Sequence, residues 1–137
     1  MSVLSFVDTN IWIYAHLRKT DEPKHPVALS LVKHLKNGVI SSQVIAEYYN
    51  VMLRNGKDDA WIQTNLNEIL IYNRLQALDV TVVKKALALR NRYGFSYWDC
   101  QIVAAALEAG CTVLYTEDMQ QGQVIDGVLT LTNPFCP

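Results

Sequence analysis

Short apolar runs alternate along the chain with longer segments whose apolar residues recur every three or four positions. Runs rich in β-branched and aromatic residues predict buried strands, at residues 3–7, 39–40, 75–80, 111–115 and 128–131. The spacing in the intervening segments predicts amphipathic helices, at residues 11–17, 26–35, 42–55, 60–72, 81–93 and 97–109. Strands that alternate with helices indicate an α/β protein of three α/β/α layers, with a central parallel sheet of about four to five strands.

Capping residues and glycines mark several helix boundaries. Thr81 and Ser96 stand at N-cap positions, where a hydroxyl group accepts a hydrogen bond from a free backbone N–H group. Gly94 and Gly110 follow the last two predicted helices, and glycine readily adopts the left-handed conformation that ends a helix. A polar segment with two prolines, residues 18–26, predicts a loop.

The composition is typical of a globular protein. The chain has 137 residues, of which 50% are hydrophobic and 18% charged, so we expect residues 1–137 to form a single domain. No apolar run is long enough to span a membrane, and the first residues lack the pattern of a signal peptide. Three cysteines without a C-x-x-C pair argue against disulfides and structural zinc. We therefore expect a cytoplasmic location.

Four acidic residues fall at one edge of the predicted sheet. Asp8 and Asp118 each follow a buried strand, and Glu47 and Asp99 each lie early in a helix. In a doubly wound sheet, the strand carboxyl ends and the following helix amino ends share one edge, where ligands bind. Each acid has an ordinary explanation by itself, such as capping for Asp8 or the helix dipole for Asp99. Their coincidence at one edge predicts that the four carboxylates converge.

Converging carboxylates raise one another's pKa values unless a cation compensates their charge. A site made of oxygen ligands suits Mg²⁺ or Mn²⁺. Two such ions about 3.5–4 Å apart can activate water and stabilise the leaving oxygen of a phosphodiester. No glycine-rich phosphate loop follows the first strand, and the three histidines form no metal-binding pair. The residues therefore favour phosphodiester hydrolysis at a carboxylate-bound metal.

The motifs that contain these acids resemble, in their order and spacing, those of the PIN domain. They are Asp8-Thr9-Asn10 after the first strand, Ser42-x-x-x-x-Glu47 at a helix start, Ser96-x-x-Asp99 before an alanine-rich helix, and Thr116-x-Asp118 after a late strand. The resemblance covers essentially the whole chain and is strongest for the single-domain VapC-type toxins of bacterial toxin–antitoxin pairs. It implies a Mg²⁺- or Mn²⁺-dependent endoribonuclease that cleaves RNA, forms a homodimer and is inhibited by a small antitoxin protein.

The resemblance also implies roles for individual residues. The catalytic and metal-binding carboxylates would be Asp8, Glu47, Asp99 and Asp118. The polar side chains that orient them would be Asn10, Ser96 and Thr116. Glu117 competes with Asp118 for the fourth place, because this chain continues Asp118-Met119-Gln120 where the family commonly has a second acid and a phenylalanine. Position favours Asp118.

Basic and aromatic residues are the candidate RNA contacts. The formal net charge of −1 gives no general attraction to a polyanion, so local basic side chains and bound cations must provide it. The candidates are Arg18, Arg54, Lys57, Arg90 and Arg92. Tryptophan can stack on unpaired bases. Of the three tryptophans, Trp98 is the main candidate because it adjoins Asp99.

Two other functions stay open on the sequence alone. A phosphatase with an aspartate nucleophile would also place Asp8 after the first strand, but its usual general acid two residues later is replaced here by Asn10. A non-catalytic RNA- or protein-binding module is the other alternative, although all four acids are present.

Overall fold

One sheet runs through the part of the chain that the structure describes, residues 3–18 and 23–137 of a computed structural model. Its six strands are β1 (Ser5–Val7), β2 (Gly38–Ser41), β3 (Asn73–Gln76), β4 (Val113–Tyr115), β5 (Val124–Ile125) and β6 (Leu129–Thr132). The order across the sheet is β3-β2-β1-β4-β6-β5, and neighbouring strands are parallel except for β5 and β6. The sheet is therefore larger than predicted, and one edge is antiparallel.

Helices cover both faces of this sheet. Within the described residues they are α1 (Thr9–His16), α2 (Lys24–His34), α3 (Ser42–Arg54), α4 (Asp59–Tyr72), α5 (Val80–Tyr93) and α6 (Tyr97–Glu108). Helix α1 packs against α2 and α3, and α3 packs against α4, whereas α5 packs against α6. Because crossovers between parallel strands are right-handed, the change of direction after β3 places these two groups on opposite faces. The three-layer α/β/α architecture is confirmed.

The core lies on both sides of the central strands. Phe6, Val39 and Leu114, in the three central strands, have no exposed surface, as expected for parallel strands covered on both faces. Helix α6 is buried along residues 100–106, because it packs against both the sheet and α5. Among the described residues, no helix is long and apolar enough to cross a membrane.

The order of the strands changes direction at β1. The chain builds β2 and β3 on one side of β1 and then places β4 and β6 on the other, so a crevice opens between the carboxyl ends of β1 and β4. Val7 pairs with Tyr115, and the Asp8 N–H group donates to the Tyr115 carbonyl oxygen at 2.9 Å. The residues that follow, Asp8 and Thr116, therefore leave the sheet side by side.

The third strand and the helix after it differ from the prediction. The strand covers Asn73–Gln76 and not residues 75–80, and the helix begins at Val80. Asp79, not Thr81, is the N-cap, because its carboxylate accepts a hydrogen bond from the Val82 N–H group at 2.9 Å. The apolar residues that suggested a longer strand, among them Val80, are exposed.

A short hairpin was not predicted. The two residues of β5 pair with β6 across a turn in which Asp126 and Gly127 have φ values of 52° and 69°. Positive φ at both central residues defines a type I′ turn, for which Asp-Gly is a preferred sequence. In the predicted loop 18–26, α2 already begins at Lys24, and residues 19–22 lie outside the described residues.

Replacing Asp79 with alanine should lower the free energy of unfolding by about 1 kcal/mol, because the first N–H groups of α5 lose their capping carboxylate. Thr81→Ala is the matched control. Its side chain is exposed and caps nothing, so its effect should stay within about 0.5 kcal/mol. Urea unfolding followed by circular dichroism measures both values. Equal losses in the two variants would contradict the assignment of the cap.

Candidate functional site

An open cleft of about 330 Å³ lies where the carboxyl ends of the strands meet the amino ends of the helices. Its walls come from the start of α1, from α3, from the first turns of α6 and from the loop after β4. All four predicted carboxylates line this cleft: Asp8, Glu47, Asp99 and Asp118. The structure thus brings together acids from four separate elements.

Asp8 is the buried member of the four and is only 6% exposed. Its Oδ1 accepts a hydrogen bond from the Thr9 N–H group at 2.7 Å, and its Oδ2 accepts one from the Thr116 hydroxyl at 2.9 Å. Burial raises the pKa of Asp8 to about 7; the two hydrogen bonds lower it, and the charges of Asp118 and Glu47 raise it further. A negative charge on Asp8 is therefore costly at neutral pH unless a cation lies nearby.

Glu47 is tied to the same corner of the cleft by a residue that the sequence argument did not assign to the site. The Thr9 hydroxyl donates to Glu47 Oε1 at 2.7 Å, while the Thr9 N–H group binds Asp8. Thr9 thus connects the acid that follows β1 with the acid on α3. The signal in the sequence was its place between Asp8 and Asn10, at the strand end where ligands bind.

Asp99 lies in the first turn of α6, and Ser96 places it there. The Ser96 hydroxyl oxygen accepts a hydrogen bond from the Asp99 N–H group at 3.2 Å, so Ser96 acts on the backbone of Asp99 as an N-cap. Gly94, with φ of 73°, ends α5 two residues earlier and allows the tight connection between α5 and α6.

Asp118 is the most exposed of the four acids. Its backbone N–H group donates to the Thr116 hydroxyl oxygen at 3.2 Å, and the Asn10 amide donates to its Oδ2 at a long 3.4 Å. Thr116 therefore donates to Asp8 and accepts from Asp118. Partial burial raises the pKa of Asp118, and neighbouring carboxylates, including Asp99, raise it further.

Glu117 points away from the cleft. Its Oε1 lies 2.6 Å from the Lys24 ammonium nitrogen, and its Oε2 accepts a hydrogen bond from the Tyr14 hydroxyl at 2.7 Å. Lys24 also lies over the rings of Tyr14 and Phe135. These contacts fix Glu117 against α1 and α2, and they leave Asp118 as the acid of this pair that lines the cleft.

The four carboxylates do not surround a single point. Within residues 3–18 and 23–137, no three His, Cys, Asp or Glu side chains are close enough together to hold a metal ion as they stand. Three of the four carboxylates are instead hydrogen-bonded to neighbouring donors, from Thr9, Asn10 and Thr116. The donor set fits a hard divalent cation, because all of the ligands would be oxygen atoms and the buried Asp8 charge lacks compensation.

A polar stripe on α3 forms one wall of the cleft. Gln43, Glu47, Asn50 and Arg54 are spaced by four, three and four residues, so they lie on one face of the helix, and all of them line the cleft. Sequence reasoning selected Glu47 and Arg54 but missed the other two. The same helical spacing that identifies an apolar face would have found them.

Only one of the five basic candidates lines the cleft. This residue is Arg54, which has no hydrogen bond or ion pair to the described part of the chain. Arg92 pairs with Asp126, Arg90 donates to carbonyl groups after α5, and Lys57 lies over the Trp61 ring. Arg18 is exposed outside the cleft.

The family model of the PIN domain matches residues 5–125, which include all four acids. The chain belongs to the PIN domain family. The predicted resemblance is therefore confirmed at the level of the family. A comparison with curated proteins gives no significant match.

The fold of this PIN domain is also that of solved toxin structures. VapC20 of Mycobacterium tuberculosis, a toxin that cleaves the sarcin-ricin loop, gives a TM-score of 0.68 at 19% identity over 83% of this chain and 89% of that chain. A toxin–antitoxin complex from Klebsiella pneumoniae gives 0.66 at 20% identity over 98% of both chains. VapBC2 of Rickettsia felis, bound to a DNA fragment from its promoter, gives 0.65 at 21% identity over 96% and 98%. At these identities the similarity shows a shared fold.

Relative to Asp8→Asn, the metal-free wild type should become more stable as the pH falls from about 7.5 to about 5.5. The pKa of Asp8 is about 7 in the folded state against 3.8 for an ordinary aspartate, so the folded state binds the proton more strongly between these values. The resulting gain in stability is complete below about pH 4 and is lost as the pH rises through about 7. Asp8→Asn removes this titration, so it should be more stable than the wild type at pH 7.5, by on the order of 1 kcal/mol or more.

Thermal unfolding in EDTA at both pH values measures this difference between the two proteins. Asp118 and His16, whose pKa values also shift on folding, titrate in both proteins, so subtracting the variant from the wild type leaves the contribution of Asp8 with its coupling to Asp118 and Glu47. A wild type that gains no more stability than Asp8→Asn on acidification would contradict the raised pKa.

Proposed function

We propose that residues 1–137 form one PIN domain that cleaves RNA as a Mg²⁺- or Mn²⁺-dependent endoribonuclease, the toxin of a VapC-type toxin–antitoxin pair. The observation that carries this proposal is the single cleft lined by Asp8, Glu47, Asp99 and Asp118. Such a cluster of carboxylates, one of them buried, destabilises the fold unless a cation compensates its charge, and a cost of this kind is typical of a functional site. The cleft lies at the carboxyl ends of β1 and β4, where the strand order changes direction, and open α/β sheets bind ligands at such a point.

The four carboxylates are the residues that would hold the cation. A bound divalent ion supplies charge compensation, a lowered pKa for its bound water and polarisation of the phosphate oxygens. Asp8 is the central ligand in this proposal, because its burial leaves the largest uncompensated cost for the charged form.

The residues around the acids keep this arrangement in place. Thr116 donates its hydroxyl proton to Asp8 Oδ2 and accepts the Asp118 N–H group, so its hydroxyl orientation is fixed. Thr9 donates twice, from its backbone N–H group to Asp8 Oδ1 and from its hydroxyl to Glu47 Oε1, and so links these two acids. Ser96 fixes the backbone of Asp99. These contacts limit the rearrangement that the carboxylates need in order to bind a cation and a phosphodiester.

Arg54 is the proposed phosphate contact. It lies on the same helical face as Glu47, two turns further along α3, and its guanidinium group presents several donors to a phosphate. The amide of Asn50, between them on this face, provides further hydrogen-bonding groups. A cleft with acids in the centre and an arginine at the side can thus hold a polyanion despite a net charge of −1.

The partners of the proposed toxin are a small antitoxin protein and a second copy of the chain, in the cytoplasm. Support comes from the shared fold with a toxin chain of a toxin–antitoxin complex over 98% of both chains. A phosphatase with an Asp8 nucleophile is less well supported, because the Asn10 amide donates to Asp118 and cannot act as a general acid.

Purified protein free of antitoxin should cleave structured RNAs, such as tRNA, with Mg²⁺ or Mn²⁺ and should be inactive in EDTA. Asp8→Asn and Asp99→Asn should each lower the rate by about 100-fold or more, because each removes a charged metal ligand. Gel analysis of end-labelled RNA measures the rates. The matched control is Glu108→Gln, which removes an acid that pairs with Lys85 at 2.7 Å outside the cleft. Unchanged cleavage by both Asp8→Asn and Asp99→Asn would contradict the proposal.

The fourth acid can be tested by a pair of neighbouring variants. Asp118→Asn should lower the cleavage rate by about 10-fold or more, since it removes a carboxylate of the cleft. Glu117→Gln should keep most of the activity, because Glu117 binds Lys24 and Tyr14 and not the cleft. The reverse result in the same RNA assay would assign the fourth place to Glu117.

A further inference from the structure

We propose that Trp98 is the residue on which an unpaired base of the substrate stacks, beside the phosphodiester that the four acids face. The inference rests on the proposed function, because it takes RNA as the substrate of the cleft. It assigns to one exposed side chain the selection of unpaired over paired nucleotides.

The exposure of Trp98 is unusual for its residue type. Its side chain lines the cleft and is 65% exposed, whereas Trp12 is buried and Trp61 is half-buried. A tryptophan ring in water gains little from the hydrophobic effect, so it contributes little to the stability of α6. Exposed aromatic rings in a cleft are a common feature of binding sites, where a flat ligand covers the ring.

The backbone of Trp98 is held in place from the opposite wall of the cleft. The buried amide of Gln43 donates to the Trp98 carbonyl oxygen at 3.3 Å, and its own oxygen accepts a hydrogen bond from the Gln101 amide at 2.6 Å. The Tyr97 ring lies 6.1 Å from the Trp98 ring, centroid to centroid, at an angle of 70°. Because the backbone is held, only the side-chain torsions of Trp98 must be ordered when a ligand binds.

Trp98 lies in the same cleft as the four acids and the proposed phosphate contact, Arg54. Trp98 precedes Asp99 and faces the same cleft as Arg54 on α3. A nucleotide whose phosphate lies between the acids and Arg54 can therefore place a base over this ring. Bases inside a duplex are stacked on both faces, so only an unpaired or splayed base offers a free face.

The cleft has little positive charge to attract RNA, which favours a stacking contact that does not depend on charge. Among the residues that line the cleft, Arg54 is the only cation, against four acids. Base–aromatic stacking does not depend on charge and contributes on the order of 1–3 kcal/mol per base. It can therefore supply affinity that a chain with a net charge of −1 lacks.

The test compares Trp98→Leu and Trp98→Phe with the wild type on an RNA that the wild type cleaves. Trp98→Leu should raise KM by about 5- to 150-fold, the equivalent of one lost stacking contact, and leave kcat within a few-fold. Trp98→Phe keeps an aromatic face and should restore most of the affinity. Tyr72→Leu, which removes an aromatic side chain that is 76% exposed outside the cleft, is the matched control and should leave KM unchanged.

A second substrate series separates stacking from a structural role. The same RNA is prepared with an abasic nucleotide at each position next to the cleavage site. At one position the abasic RNA should raise KM for the wild type, and Trp98→Leu should then add no further loss. If Trp98 has only a structural role, Trp98→Leu should raise KM on every abasic RNA, and this result would overturn the inference.

The remaining outcomes are also decisive. An unchanged KM for Trp98→Leu would overturn the stacking role while the metal-dependent nuclease stands. A change of the mass in solution, measured by light scattering, would assign Trp98 to a protein contact and overturn it as well. A wild type that cleaves no RNA would refute the proposed function, and the inference would fall with it.

Discussion

The buried charge of Asp8 is the constraint on which the rest of the site depends. The strand order places this carboxylate at the switch point of the sheet, where water is largely excluded, and burial raises its pKa to about 7. Two hydrogen bonds, from the Thr9 N–H group and the Thr116 hydroxyl, oppose that effect without cancelling it. The charges of Asp118 and Glu47, which line the same cleft, raise the pKa of Asp8 further. In the proposed function, a divalent cation bound by these carboxylates compensates their charge.

Each element of the fold contributes one kind of group to the cleft. The central strands fix Asp8 and Thr116 by the hydrogen bonds of the sheet, and α3 contributes a polar stripe along one wall. Helix α6 contributes Asp99 through its capping turn. The ion pair between Glu117 and Lys24 turns Glu117 away from the cleft, whereas Asp118 lines it and is hydrogen-bonded to Thr116 and Asn10. The cleft therefore combines a buried inner pair of residues, Asp8 and Thr116, with a more exposed outer rim.

The sequence predicted the layers and the convergence of the acids because both follow from local features. Apolar spacing predicts the elements, and the position of Asp8 after a strand places it at the ligand-binding edge. Features set by distant contacts were missed. Whether Glu117 or Asp118 enters the cleft depends on Lys24, which is 93 residues away in the chain. The 75–80 run suggested a strand because it is apolar, although Asp79 caps a helix there. The Asp126-Gly127 turn was a readable hairpin signal for β5.

The register between β1 and β4 has a consequence for folding. Val7 pairs with Tyr115, and this pairing is what sets Asp8 beside Thr116. A slip of one residue would turn the side chains of a strand to the opposite face of the sheet. A molecule with such a slip would lose the hydrogen bond that orients Asp8, even if its helices and most of its core were formed. The cleft therefore forms only in molecules with the correct register between β1 and β4. Activity at the cleft would then measure the fraction of molecules that have folded correctly.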